Sequence, residues 1–170
     1  SRVKGLILEE QRRYPDALSA FDRALGADPG AAEAHLHRGL ALASLERPAE
    51  ALLAFGKATE LAPGNFAAWI QRGLALARSD RFGEAALAFE TATGINPLDA
   101  AAWYEKGLAY SSLRKPRDAR AALERALELD PGNAPAWYRK ALSLMALGDP
   151  EGTVRSLDRS LELNPADGEA

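Results

Sequence analysis

The sequence predicts an all-α solenoid, a fold in which similar helical segments stack in series. Residues of three types recur at intervals of 34 positions along the 170-residue chain. They are Pro29, Pro63, Pro97, Pro131 and Pro165; Trp69, Trp103 and Trp137; and Gly5, Gly39, Gly73 and Gly107, with Ala141 in the fifth glycine position. An interval of about 20 to 50 residues is typical of repeat architectures. We therefore expect each segment to pack mainly against its neighbours.

Composition and charge limit the possible functions. The chain is 47% hydrophobic and 26% charged, which is typical of a folded globular protein rather than a disordered one. Its formal net charge of −3 argues against nucleic-acid binding, which needs clustered basic residues. The absence of cysteine excludes disulfides and thiolate chemistry. No apolar run approaches membrane-spanning length, and residues 1–10 lack the features of a signal peptide, so the cytoplasm is the expected location.

Each segment is expected to contain two helices, as residues 32–65 illustrate. Residues 32–45 and 49–61 are both rich in alanine and leucine. Pro48 and Pro63 mark the ends of these two stretches, because proline cannot continue a helix from the preceding turn.

Residues at the segment boundaries predict where helices begin. Proline suits the first turn of a helix, because its missing N–H would have no intrahelical acceptor there. Prolines of this kind, predicted to start second helices, are Pro48, Pro116 and Pro150. Residues whose side-chain oxygens can cap the first helices are Asn65, Asp99 and Asn133.

One face of each first helix is predicted to be buried. Trp69, Gly73 and Leu76 have the i, i+4, i+7 spacing that places them on one side of a helix. Glycine costs about 1 kcal/mol inside a helix relative to alanine, so its recurrence implies close approach by the second helix. Alanines flank the bulky Phe55 in that second helix, which supplies complementary knobs and hollows.

The repeated motif resembles the tetratricopeptide repeat, a 34-residue unit with a W-x2-L-G-x2-Y start, an A-x3-F middle and a late proline. The resemblance covers the whole chain and predicts one incomplete unit, four complete units and the start of another. These are residues 1–31, 32–65, 66–99, 100–133, 134–167 and 168–170. The chain departs from this motif in two ways. A basic residue stands where the motif has leucine before its glycine, and the last complete unit weakens the motif with Ala141, Thr153 and Ser160.

The resemblance implies a right-handed superhelix whose first helices line a concave groove, usually a docking surface for peptides or partner helices. The residues themselves show an apolar stripe about 100° from the buried face of each first helix. Its members are Leu36, Leu40, Ile70, Leu74, Tyr104, Leu108, Tyr138 and Leu142. The stripe either forms an exposed interaction surface or packs against the adjacent unit, and the geometry of the family favours the groove.

Polar residues beside the stripe are candidates for setting the register of a bound peptide. They are Arg78, Glu105 and Arg139, although solvated helix residues are the commoner case. Some members of the family clamp a terminal carboxylate with asparagine and lysine, but leucines occupy those asparagine positions here. The asparagine ladder of arrays attached to protein glycosyltransferases is also absent, because the asparagines of this chain fall at turns.

A basic residue precedes the recurrent glycine in every unit. The series is Lys4, Arg38, Arg72, Lys106 and Lys140. These residues either contact phosphate or acidic peptides, or cover apolar surface with their stems while their charges reach water. The second interpretation is favoured, since such packing is common and the chain is acidic overall.

Catalytic, metal and cofactor sites are not expected. His35 and His37 are two residues apart, so on a helix they point away from each other and cannot share a metal. The glycines fall singly at helix crossings or turns rather than in a phosphate-binding loop. We therefore expect a non-enzyme.

The C-terminal end is expected to mediate self-association. Asp167 occupies the capping position for a further unit, and the last predicted helix offers three apolar residues with no following helix to cover them. They are Val154, Leu157 and Leu161, and they predict end-to-end self-association.

The sequence therefore predicts a non-catalytic interaction module that binds a peptide or helix of a partner protein in an apolar groove. Two alternatives stay open. The array could be the substrate-recognition arm of a larger enzyme, such as a glycosyltransferase, or it could be a self-assembly scaffold.

Overall fold

The computed structural model describes residues 2–10 and 13–165. These residues form ten α-helices and contain no β-strand, which confirms the all-α prediction. The helices are α1 (Arg2–Glu10), α2 (Tyr14–Ala27), α3 (Ala32–Ser44), α4 (Pro48–Leu61), α5 (Phe66–Arg78), α6 (Phe82–Ile95), α7 (Ala100–Ser112), α8 (Pro116–Leu129), α9 (Ala134–Ala146) and α10 (Pro150–Leu163). The predicted cap Asp167 and the predicted further unit at 168–170 lie outside the described residues.

Proline begins the second helices where the sequence predicts it. Pro48, Pro116 and Pro150 are the first residues of α4, α8 and α10. Immediately before α4, the guanidinium group of Arg47 donates hydrogen bonds of 2.7 and 2.8 Å to the carboxylate of Glu50. These bonds raise the pKa of Arg47 above its usual range.

Side-chain caps begin three of the first helices, as predicted. The side-chain oxygens of Asn65, Asp99 and Asn133 accept hydrogen bonds from the backbone N–H three residues later, at 3.1, 2.7 and 2.9 Å. Ala31 holds the equivalent position before α3 and caps nothing with its side chain. Helix α3 therefore begins with one more unsatisfied N–H than α5 or α7.

A left-handed residue shapes the turn after α3, α5, α7 and α9. Glu46, Asp80, Arg114 and Gly148 have φ angles of 58°, 57°, 55° and 75°. The residue after each donates a backbone hydrogen bond to the carbonyl five residues earlier, as in the 3.0 Å bond from Arg47 to Leu42. This is the Schellman arrangement that ends many helices. Three of the four turns adopt it without glycine, at a cost of about 1–2 kcal/mol each.

Helix contacts divide the chain into two compact units, residues 1–81 and 82–170. In the first unit α1 packs on α2 and α3 on α4, while α2 also contacts α3 and α4 contacts α5. Its core centres on Phe21 and Phe55, which are almost completely buried. A Cβ atom at Gly39 would collide with the ring of Phe55, so the glycine permits the close approach of α3 and α4.

The second unit uses the same pairing. Helix α7 packs on α8 and α9 on α10, while α6 contacts α7 and α8 contacts α9. Leu123, Leu127 and Ala136 form a buried cluster within it. A Cβ atom at Gly107 would lie 2.7 Å from Cγ of Leu123, which confirms the predicted close approach at the recurrent glycine.

Candidate functional site

The recurrent tryptophans tie the first helices to the preceding turns. The indole Nε1 of Trp69, Trp103 and Trp137 donates hydrogen bonds of 2.8, 3.0 and 3.0 Å to the carbonyl oxygens of Pro63, Pro97 and Pro131. His35 takes this role before α3, with its Nε2 2.9 Å from the carbonyl oxygen of Pro29. The constant six-residue offset between proline and tryptophan is visible in the sequence and could have revealed these bonds.

Basic side chains cover the tryptophan rings. Arg72, Lys106 and Lys140 place their cationic groups 5.3, 4.9 and 5.2 Å from the ring centres of Trp69, Trp103 and Trp137. Arg38 instead donates a 2.7 Å hydrogen bond to Asp22, and Lys4 is exposed. Stacking on an indole is an intramolecular role, so these contacts support the packing interpretation of the basic series.

The first unit holds four residues of the predicted apolar stripe. Leu40, Ile70 and Leu74 are half-buried on α3 and α5, which contact each other. Leu36 is only 7% exposed and belongs to the core cluster around Phe55. Leu40 packs against the same cluster. Leu36 therefore supports the packing alternative, Leu40 supports it in part, and Leu40, Ile70 and Leu74 leave part of their surface open.

The second unit holds the other four residues of the predicted apolar stripe. Tyr104 and Leu108 on α7 are half-buried, as is Leu142 on α9, and α7 and α9 contact each other. Tyr104 also packs against the cluster of Leu123 and Leu127. Tyr138 is 47% exposed and is the most open member of the stripe. The arrangement presents apolar and aromatic surface on two neighbouring first helices.

The predicted polar contacts lie on the same helices. Arg78, the last residue of α5, is exposed, and so is Arg139 on α9, beside Tyr138. Glu105 on α7 is half-buried. Glu105 and Arg139 directly follow stripe residues in the sequence, and Arg78 follows Leu74 by four positions. A role for them in recognition stays a prediction.

Both histidines have structural partners. His35 bonds the Pro29 carbonyl, while the ring of His37 stacks on Phe21 with 5.7 Å between ring centres. Residues 2–10 and 13–165 contain no group of three or more histidine, aspartate or glutamate side chains that could hold a metal ion. Within the same residues, every helix is too short or too polar to cross a lipid bilayer.

The hydroxyl of Tyr110 is less acidic than that of an ordinary tyrosine. Tyr110 lies half-buried on α7, and burial raises the pKa of its hydroxyl above the usual value of 10.0. The negative charges of Glu90 and Asp118 raise that pKa further. The hydroxyl therefore keeps its proton at physiological pH.

Apolar residues of α10 are exposed, as the sequence predicts. Val154 and Leu161 are 56% and 42% exposed, while Leu157 is half-buried. Self-association through these side chains stays a prediction.

Repeated helix pairs, recurrent glycines at their crossings and tryptophan-to-proline bonds define an α-solenoid protein. The model of the tetratricopeptide repeat family matches residues 2–66, 70–112 and 104–168. The chain belongs to the tetratricopeptide repeat family, which confirms the predicted resemblance. A comparison with curated proteins gave no significant match.

Solved structures share this fold. A crystal structure of MamA matches with a TM-score of 0.89 and 24% identity, over 98% of this chain and 97% of that one. YrrB, a TPR protein with an unusual peptide-binding site, matches with a TM-score of 0.89 and 23% identity, over 95% of this chain and 84% of that one. MamA from Desulfovibrio magneticus RS-1 matches with a TM-score of 0.86 and 22% identity, over 98% of this chain and 93% of that one. These identities show the fold alone.

Proposed function

We propose that this chain is a non-catalytic interaction module that binds a peptide or helix of a partner protein through the apolar faces of its first helices. The observation that carries the proposal is the stripe on α7 and α9. Tyr138 is 47% exposed, and Leu108 and Leu142 are each partly open on the same pair of contacting helices. An open apolar patch on a folded protein commonly marks an interaction site.

The first unit contributes a second surface of the same kind. Leu40, Ile70 and Leu74 are its partly open apolar residues, and exposed Arg78 ends α5. We assign Leu36 to the support of this surface rather than to direct contact, because it is 7% exposed. Arg78 would offer a charged group at the end of the apolar stripe.

Energetics require several anchors to act together. Burial of one leucine-sized side chain contributes about 1.5–3 kcal/mol before ordering costs. Micromolar binding needs a net of about 8 kcal/mol. A bound segment would therefore engage most of the stripe within a unit, and loss of one anchor would weaken binding about tenfold or more.

YrrB supports the proposal by analogy. It has the same fold and is a TPR protein with an unusual peptide-binding site. Peptide binding is thus compatible with helix pairs of this architecture, although the contacts used by this chain are those of its own side chains.

The proposal is tested by affinity capture from a lysate of the source organism. The test variant carries Leu74→Glu and Leu108→Glu, one substitution in the stripe of each unit. The matched control carries Leu53→Glu and Leu87→Glu on second helices, where the leucines are 74% and 64% exposed. Both pairs are 34 residues apart, so the two variants alter charge and spacing equally.

Circular dichroism verifies that both variants remain helical. We expect specific proteins captured by the wild-type chain to be lost from the Leu74→Glu, Leu108→Glu variant and retained by the control. Equal capture by all three chains would refute recognition through the stripe.

A further inference from the structure

The second unit contains a cleft away from the apolar stripe. Helices α8, α9 and α10 border an open cleft of about 490 Å³, a size within the range of small-molecule sites. Four cationic side chains line this cleft: Arg120, Lys140, Arg155 and Arg159. Trp137 and Leu144 supply apolar surface beside them.

The carboxylates at the cleft do not balance these cations. Glu124 serves two of them, since its oxygens lie 3.4 Å from Nζ of Lys140 and 3.9 Å from Nε of Arg120. Asp149 is engaged as the cap of α10, where it accepts a 2.9 Å hydrogen bond from the N–H of Gly152. An excess of positive charge therefore faces the cleft.

The two arginines of α10 have only exposed partners. Arg155 lies 3.8 Å from Glu151, whose side chain is 86% exposed, and Arg159 lies 2.8 Å from Glu162, which is 63% exposed. Solvent-exposed ion pairs within one helix are weak, so both arginines can exchange these partners for a ligand.

Arg120 carries an unsatisfied donor. Its Nε atom is buried and has no hydrogen-bond partner in the described part of the chain. The Glu124 oxygen at 3.9 Å is beyond hydrogen-bonding distance. Buried donors are nearly always satisfied in folded proteins, and the Arg120 side chain is 44% exposed overall, so a shift of the guanidinium group toward an anion in the cleft would give this N–H a partner.

Lys140 and Arg159 have basic counterparts in other segments, such as Lys106 and Arg125, whereas Arg120 and Arg155 do not. The positions equivalent to Arg120 in earlier segments hold Leu18, Leu52 and Ala86. The positions equivalent to Arg155 hold Ser19, Leu53, Leu87 and Ala121. The family fold therefore does not require arginine at either position.

We propose that the cleft between α8, α9 and α10 binds a phosphate monoester. Guanidinium groups match phosphate oxygens with pairs of parallel hydrogen bonds, and a monoester carries about −1.5 to −2 charges at pH 7. The cleft is large enough for the group bonded to the phosphate. A phosphoserine of a partner peptide and a free small phosphate ester share this chemistry.

The test follows Arg120 directly by NMR. Titrations of the whole chain use a blocked Ala-phosphoserine-Ala peptide, inorganic phosphate and a blocked Ala-Glu-Ala peptide, observed through the arginine Nε–Hε signals. The phosphopeptide is expected to shift the Arg120 signal saturably. Arg120→Gln is expected to weaken its binding about tenfold or more, because a charge-assisted hydrogen bond is lost.

Matched variants distinguish a specific phosphate site from non-specific electrostatic attraction between phosphate and basic side chains. Arg125→Gln removes a cation of the same helix that pairs with Glu128 at 2.7 Å outside the cleft, and it should change binding less than about twofold. Glu124→Gln should strengthen binding, since it removes a competing carboxylate. If Arg120→Gln reduces the helix content measured by circular dichroism, Arg159→Gln is used in its place.

Each outcome of these titrations either supports or overturns the proposed phosphate site. Tighter binding of the phosphopeptide than of inorganic phosphate supports a peptide source, and equal binding supports a free phosphate ester. The absence of saturable shifts, equal weakening by Arg120→Gln and Arg125→Gln, or equal affinity for Ala-Glu-Ala would overturn it.

Discussion

The indole Nε1 of Trp103 donates a 3.0 Å hydrogen bond to the carbonyl oxygen of Pro97, six residues earlier in the chain. The bond fixes helix α7 to the turn that precedes it, and Trp69 and Trp137 make the same connection to Pro63 and Pro131. The 34-residue recurrence of proline and tryptophan thus has a direct structural cause. Each pair sets the position at which a first helix leaves its turn.

Replacement of Trp103 by phenylalanine tests the energetic value of this connection. Phenylalanine keeps an aromatic ring but removes the donor to the Pro97 carbonyl, which is exposed and can bond water instead, so we expect a loss of about 0.5–1.5 kcal/mol in the free energy of unfolding. Urea denaturation followed by circular dichroism measures it. Lys106→Met keeps the hydrogen bond but removes the cation over the ring and its 3.9 Å ion pair with Glu90, and it should cost about 0.5–1 kcal/mol. An unchanged stability of Trp103→Phe would show that the hydrogen bond contributes nothing.

Gly39→Ala is expected to destabilise the first unit. The added Cβ would collide with the ring of Phe55, and overpacking of a core costs about 1–3 kcal/mol. Gly56→Ala on α4 is the matched control, because no atom lies within 4 Å of its added Cβ. The control should gain up to about 1 kcal/mol from helix propensity. Thermal denaturation measures the stability of both variants. A higher melting temperature for Gly39→Ala than for the wild type would contradict the packing described.

Ala31→Asn is expected to stabilise the chain. Asn65 and Asn133 cap their helices from the equivalent position, whereas Ala31 has no capping oxygen. A new cap contributes about 1 kcal/mol. Ala67→Asn places the same side chain on an exposed residue inside α5, where asparagine lowers helix propensity. Equal effects of the two substitutions on the melting temperature would rule out capping.

Tyr110 predicts a specific loss of stability at alkaline pH. Its folded-state pKa is raised, mainly by burial and further by Glu90 and Asp118, so the folded chain holds a proton that the unfolded chain releases. The stabilisation is complete below the unfolded pKa of about 10 and is lost as pH rises through the folded pKa. Urea denaturation from about pH 9 to about pH 11 should show a steeper decline for the wild type than for Tyr110→Phe. Parallel declines would contradict the raised pKa.

Much of the fold could be predicted because its signals are local. The proline at Pro116 and the cap at Asp99 act within one helical turn, so the residue type alone indicates the helix start. The recurrent glycine at Gly107 similarly indicates a close crossing, which the contact with Leu123 explains.

Other features depend on contacts that the sequence does not specify. Leu36 and Leu40 look equivalent in periodicity, but Leu36 is buried within the core cluster of Phe55, whereas Leu40 packs against that cluster and stays partly open. The left-handed conformations of Glu46 and Arg114 were not predictable from residue type, since neither is glycine. The unsatisfied Nε of Arg120 arises only where α8, α9 and α10 come together.

Photo-crosslinking tests recognition by the apolar stripe most directly. A benzophenone amino acid is placed at Tyr138 on α9, where an aromatic side chain is already 47% exposed. The control places it at Leu87 on α6, which is 64% exposed and outside the stripe. After irradiation in lysate of the source organism, we expect discrete adducts of defined mass from position 138 and none of these from position 87. Identical adducts from both positions, or adducts from position 87 alone, would contradict the proposed function.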